Sequence, residues 1–183
     1  MFIDVTSGLV KGARQQPSPN CDVRPDETDI SLIVIHGISL PPGKFGDNYI
    51  DQLFCNQLNP NEHPYFKEIA GLKVSSHLLI RRDGEMVQYV PLHKRAWHAG
   101  ASCYKTRACC NDFSIGIELE GEDETPYTDS QYEKLFILIQ TLIKTYPALT
   151  NNTIAGHSDI APGRKTDPGQ AFDWERLNRH LMP

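Results

Sequence analysis

The sequence has no apolar run of the ~18 residues that would mark a membrane-crossing helix. It has no block of Lys and Arg either, and its formal net charge is −5. Nucleic-acid binding draws much of its affinity from cationic contacts to phosphates. Neither nucleic acid nor membrane is therefore an expected partner. The first residues lack the basic start and sustained apolar stretch of a signal peptide. A cytoplasmic, reducing location is the expectation. The five cysteines, Cys21, Cys55, Cys103, Cys109 and Cys110, are odd in number and show no C-x-x-C spacing. They are expected as free thiols rather than as a disulfide framework. Cys109 and Cys110 are adjacent, but neighbouring cysteines seldom chelate a metal alone. No internal repeat and no low-complexity linker divides the chain. Its 183 residues suit one domain, expected to span 1–183 as a monomer.

What is present is a mixture of strand and helix patterns. Residues 11–29 are polar, with Pro17, Pro19 and Pro25, and read as an extended entry loop. Leu32, Ile33, Val34 and Ile35 form a short aliphatic run, the pattern of a strand buried on both faces, and His36 and Gly37 stand where it stops. Residues 47–57 suit a short helix. Residues 74–80 and 85–90 flank Arg81-Arg82-Asp83-Gly84, and Asp-Gly favours the tight turn of a β-hairpin. From Phe113 to Glu120 the chain alternates: Phe113, Ile115, Ile117 and Leu119 share one face, and Ser114, Gly116, Glu118 and Glu120 the other. Residues 128–146 repeat apolar side chains at helical spacing behind a Thr128/Gln131 capping box, with Pro147 as the stop. A last helix is expected over 172–181. The expected fold class is α+β, with a central mixed sheet covered by helices.

None of the seven histidines forms an H-E-x-x-H pair, so any metal site must be assembled from distant segments. His36 alone reads equally as a hydrogen-bonded histidine at a strand end. The segment Gly156–Gly169 is denser in chemistry. It packs His157, Asp159, Arg164, Lys165 and Asp167 among glycines and prolines, with little to bury in a core. Pro168 biases Asp167 towards extended backbone, so Lys165 and Asp167 are expected to point the same way. His36, His157 and Asp167 together offer two imidazoles and a carboxylate. This donor set suits zinc with one open coordination place. Lys165 beside it would hold a developing oxyanion. Such a hydrolase needs a proton acceptor; Glu118 and Glu120, on the polar face of one strand, are the candidates, although the residues alone favour solvent-facing strand positions. Trp97, in KRAWHAG, is either a sugar-binding wall or core.

Six segments carry a family resemblance: LIVIHGISLPPGKFG, NPNEHPYF, RRDGEMVQYVP, KRAWHAG, CNDFSIGIELEG and GHSDIAPGRKTDPG. By these the chain resembles the zinc amidases of the peptidoglycan-recognition family, in particular the branch that acts on 1,6-anhydromuramyl peptides. The resemblance covers roughly residues 17 to 177. It implies a three-layer fold and a zinc ion held by His36, His157 and Asp167. It favours Glu118 over Glu120 as proton acceptor, Asp167 over Asp159 as ligand, and Lys165 as the transition-state lysine. It implies hydrolysis of the amide between anhydromuramic acid and L-alanine, with a small-molecule anhydromuropeptide as substrate, in peptidoglycan recycling linked to β-lactamase regulation. Gly37, Tyr65, Lys73, His77, Trp97, His98 and Arg107 are the implied substrate contacts. Three positions depart from the family pattern: Gly37 replaces an asparagine, and Lys73 and Cys109 replace arginines that meet peptide carboxylates. Lysine lacks the planar fork of arginine, and Arg107 is the candidate substitute. A broader amidase acting on intact peptidoglycan, a non-catalytic sensor and a structural zinc protein are the competing readings. The complete ligand set disfavours the sensor, and the acidic charge disfavours a nucleic-acid-binding zinc protein.

Overall fold

The computed structural model describes residues 1–181. Its framework is a six-stranded mixed sheet in the order β12-β5-β11-β6-β7-β3. These strands are β3 (Arg14–Gln15), β5 (Leu32–Ile38), β6 (Leu78–Ile80), β7 (Met86–Gln88), β11 (Ser114–Glu120) and β12 (Ile154–Gly156). β5 runs parallel to both β12 and β11, and β11 runs parallel to β6. β6 and β7 form the antiparallel hairpin expected from Asp83-Gly84, where Gly84 takes φ +87°, a conformation that favours glycine. Three two-stranded ribbons surround the sheet: β1 (Phe2–Asp4) with β2 (Leu9–Lys11), β4 (Cys21–Val23) with β8 (Lys94–Ala96), and β9 (Cys103–Tyr104) with β10 (Arg107–Ala108).

Residues 11–29 are thus not simply a loop. They supply β3 at the sheet edge and β4 against β8. Such short pairings are made by neighbouring backbone, not by local apolar period.

Helices cover both sheet faces. On one side lies α3 (Asp129–Thr145), with α5 (Trp174–Leu181) against it. Ile33, Ile35, Ile115, Ile117 and Leu119 pack there against Leu135, Leu138, Ile139 and Leu142. The capping box is formed: the Gln131 N–H donates to Thr128 Oγ1 at 3.2 Å and the Thr128 N–H to Gln131 Oε1 at 3.0 Å. A cap of this kind stabilises a helix by about 1 kcal/mol. The buried Gln131 amide also donates to the carbonyls of Ile80 and Glu120, fixing α3 over the ends of β6 and β11. On the other side, α1 (Tyr49–Phe54) and α2 (Phe66–Ile69) pack with Leu79, Val87 and Tyr89. The result is a three-layer α+β domain, as expected.

β11 has a hydrogen-bonded neighbour on each side, and all seven of its residues are buried. Its polar face is therefore not solvent-facing. It looks into the protein on the side of α1 and α2, where the functional groups gather.

Candidate active site

The parallel register of β5 and β11 sets His36 beside Glu118 and Gly37 beside Leu119. β12 joins β5 on the other side and delivers His157 at the start of α4 (His157–Ile160). The chain then loops back through Lys165 to Asp167, and Pro168 is anchored by Tyr127, whose hydroxyl donates to the Pro168 carbonyl at 2.9 Å. Three elements thus place three donor atoms together. His36 Nδ1 lies 3.0 Å from His157 Nδ1 and 3.2 Å from Asp167 Oδ2, and His157 Nδ1 lies 3.0 Å from the same oxygen. Among the described residues this is the group of His, Cys, Asp or Glu side chains able to hold a metal ion.

The electrostatics fit ligands. Burial pushes the pKa of His36 down to about 4, against the opposing pull of the Asp167 carboxylate as hydrogen-bond acceptor. Its imidazole is neutral near pH 7, with a lone pair to give. Burial works against the Asp167 carboxylate, but its hydrogen bonds with His157 and His36 prevail and hold its pKa well below the usual carboxylate range. Asp159, the other acid of this segment, is exposed and serves locally by accepting from the Gly156 N–H at 2.7 Å.

Glu118 and Glu120 are also told apart. The Glu120 oxygens are engaged: Oε1 accepts from the Gly46 N–H at 2.7 Å, and Oε2 from the Arg82 N–H at 3.1 Å. Burial raises the Glu118 pKa well above its ordinary value, with Asp167 adding to the rise and Lys165 opposing it. Among the described residues no hydrogen bond holds the Glu118 carboxylate, which lines a cavity of about 270 Å³ together with His36, His157, Asp167 and Lys165.

Gly37, Tyr65, Trp97 and His98 line the same cavity. His77, Lys73 and Arg107 do not. His77 is fully buried, accepts the Gly116 N–H at Nδ1 and faces the Lys94 carbonyl at Nε2. With both nitrogens used by backbone, it is a structural histidine. Lys73 is exposed while its neighbours Leu72 and Val74 line the cavity. Arg107 is exposed on β10, paired with Asp29 at 2.5 Å and stacked 3.7 Å over the Phe113 ring. It does not replace a cavity arginine.

Sequence reading missed two groups. Leu40, Leu53, Phe54 and Ile69 form the apolar wall of the cavity, and in sequence they are indistinguishable from core. Arg24 is buried, with 2% of its surface exposed. Its guanidinium bonds the carbonyls of Asn111, Asp112, Leu92 and Ser114, tying the entry segment to the base of β11. A lone arginine in a polar stretch carries no sequence signal for that role.

A family model described as N-acetylmuramoyl-L-alanine amidase matches residues 26–170. The chain is 61% identical over 175 residues to the 1,6-anhydro-N-acetylmuramyl-L-alanine amidase AmpD of Enterobacter cloacae, covering 96% of this chain and 93% of that protein. Its fold matches the crystal structure of a selenomethionine derivative of AmpD, with a TM-score of 0.95, 56% identity and 100% of both chains covered. It also matches Escherichia coli AmiD in complex with anhydro-N-acetylmuramic acid-L-Ala-D-gamma-Glu-L-Lys, with a TM-score of 0.62 and 27% identity over 94% of this chain and 60% of that one. The strand register that joins His36 to Glu118, the donor triangle and these likenesses agree: the chain belongs to the N-acetylmuramoyl-L-alanine amidase family.

Proposed function

We propose that this chain, as one domain over residues 1–183, is a zinc-dependent hydrolase acting in peptidoglycan recycling. It cuts the amide bond between 1,6-anhydro-N-acetylmuramic acid and the L-alanine of the stem peptide. The observation that carries this reading is the convergence of His36, His157 and Asp167 beside the unbonded Glu118 carboxylate in one cavity. The donors fit zinc. Bonds of about 2.0–2.1 Å to a tetrahedral ion set its ligands roughly 3.3 Å apart. The triangle found here has edges of 3.0–3.2 Å and is open towards the cavity.

When bound, zinc supplies Lewis-acid polarisation of the scissile carbonyl and acidifies the attacking water. Glu118 accepts a proton from that water on its carboxylate and returns it to the nitrogen of the departing L-alanine. Its raised pKa suits both halves of that transfer. The Lys165 ammonium sits at the cavity edge, where it stabilises the negative charge that develops on the carbonyl oxygen. Trp97 and Tyr65 offer faces for the sugar ring, and Leu53, Phe54 and Ile69 give the cleft an apolar wall. Among the described residues no helix is long and apolar enough to cross a membrane. All five cysteines are unpaired, which fits the reducing cytoplasm in which we place the chain, as a monomer.

The test pairs metal analysis of the purified protein with mass spectrometry of an anhydromuramyl-tripeptide digest. About one zinc per chain, with free anhydro-sugar and intact tripeptide as products, is the expected result. A zinc-loaded protein that leaves this substrate whole while solubilising intact sacculi would move the activity to the broader amidase class.

A further inference from the structure

As a metal ligand His36 would give the Nδ1 lone pair, on the side of His157 and Asp167, to the cation, and its other ring nitrogen, Nε2, then carries the proton of the neutral imidazole. That N–H needs an acceptor, and it faces His98 Nδ1 at 2.9 Å. The two rings meet edge-on, at 88°. With Nδ1 accepting, neutral His98 is fixed as the Nε2–H tautomer. Its Nε2 lies 3.1 Å from Ser114 Oγ. The Ser114 hydroxyl lies 2.5 Å from the Cys110 carbonyl, which can only accept. Every proton in the row therefore has one direction: from His36 to His98, from His98 to Ser114, and from Ser114 to the Cys110 carbonyl.

The row is built into the fold. The backbone N–H groups of His98 and Ala99 both donate to Asn111 Oδ1, at 3.1 and 2.8 Å. Gly116 leaves the slot for the His98 ring, since a Cβ there would lie 2.5 Å from His98 Cγ. Ser114 and Gly116 share the β11 face that ends in Glu118, so one strand carries the proton acceptor, the slot and the hydroxyl. Histidines that bind metal usually rest their second nitrogen on a carboxylate, a carbonyl or water. Here a neutral imidazole and a hydroxyl stand in that place.

We propose that His98 is a positioning residue: with Ser114 it locks the His36 ring and its tautomer so that Nδ1 is presented to the cation. This rests on the reading of His36 as a ligand. The test is zinc affinity by competition with a chromophoric chelator, together with thermal unfolding of the zinc-free proteins. His98→Ala is expected to bind zinc about 10–100-fold more weakly, the usual effect of losing such a partner. His98→Asn places an amide oxygen near the position of Nδ1, accepts the same hydrogen bond and is expected to recover most of the affinity. A wild-type-like affinity in His98→Ala overturns the proposal, and so does an equal loss in His98→Ala and His98→Asn, which would mean packing alone. Should His98→Ala not fold, Ser114→Ala carries the test: a several-fold loss of affinity at unchanged zinc-free stability supports the row, and no loss overturns it. If the wild-type protein takes up no zinc, the ligand reading fails first and the proposal with it, before any variant is compared.

Discussion

His36 and Glu118 are direct partners across the parallel β5–β11 pair. Neighbouring strands stand about 4.8 Å apart, and residues in register point to the same face. The backbone thus presets the spacing between a metal-binding imidazole and a proton-accepting carboxylate, without any loop having to close. Burial on both sides of β11 makes that spacing stiff.

Glu118→Gln is the direct probe of this pairing. The substitution keeps shape and removes the proton acceptor. Zinc content should stay at the wild-type level, since Glu118 is not in the donor triangle, and turnover should fall about a hundredfold or more. Metal analysis beside steady-state rates checks it. A near-normal kcat would take Glu118 out of the chemistry.

Lys165→Ala should act differently. The ammonium is close enough for its charge to act on both Glu118 and His36, yet the residue is exposed at the rim. A group that stabilises charge only as it develops affects kcat more than KM. The expected pattern is a large drop in kcat with KM within a few-fold of wild type. A raised KM at unchanged kcat would make Lys165 a substrate-binding residue instead.

Glu120 stands two residues further along the same strand face. Its carboxylate receives the Gly46 and Arg82 N–H groups, and Arg81 Nη1 lies 3.5 Å away. Glu120→Ala leaves those donors without their acceptor, at a cost of about 1–3 kcal/mol for each that stays buried. A lower melting temperature with zinc affinity retained is expected. A hundredfold loss of kcat at unchanged stability would exchange the roles of the two glutamates.

Much of this was legible beforehand, and the failures have physical causes. The aliphatic run of β5, the Asp83-Gly84 hairpin and the capped α3 are local patterns, and each formed, though β5 continues through His36 and Gly37 to Ile38, past its expected stop, and the hairpin strands are shorter than expected. The alternation of β11 gave its two faces correctly. What the polar face looks at depends on the layer packed over it from elsewhere in the chain, on the side of α1 and α2, so burial of Glu118 and Glu120 was invisible. For the same reason His77 read as a ligand contact: nothing local shows that Gly116 and Lys94 use up its two nitrogens. The convergence of His36 with His157, 121 residues apart, followed from no periodicity; donor chemistry and family resemblance pointed to it.

The buried Glu118 carboxylate should also make the zinc-free protein less stable than it needs to be, in a pH-dependent way. Burial raises its pKa in the folded state, Asp167 adds to the rise and Lys165 opposes it. A carboxyl whose folded pKa lies above its unfolded value binds its proton more tightly when folded. Folding then carries no penalty below the unfolded pKa, about 4.3 for a glutamate. The penalty grows as pH rises from there and is complete above the folded pKa. Glu118→Gln has no charge to bury and escapes it. In zinc-free protein, where no bound cation offsets the carboxylate, Glu118→Gln should melt at a higher temperature than wild type near pH ~8, and the gap should narrow towards pH ~4. Thermal unfolding of both proteins across that range measures it. A wild type at least as stable as the variant near pH ~8 would mean that the carboxylate is solvated in the cavity, and its raised pKa could no longer be part of the proton transfer.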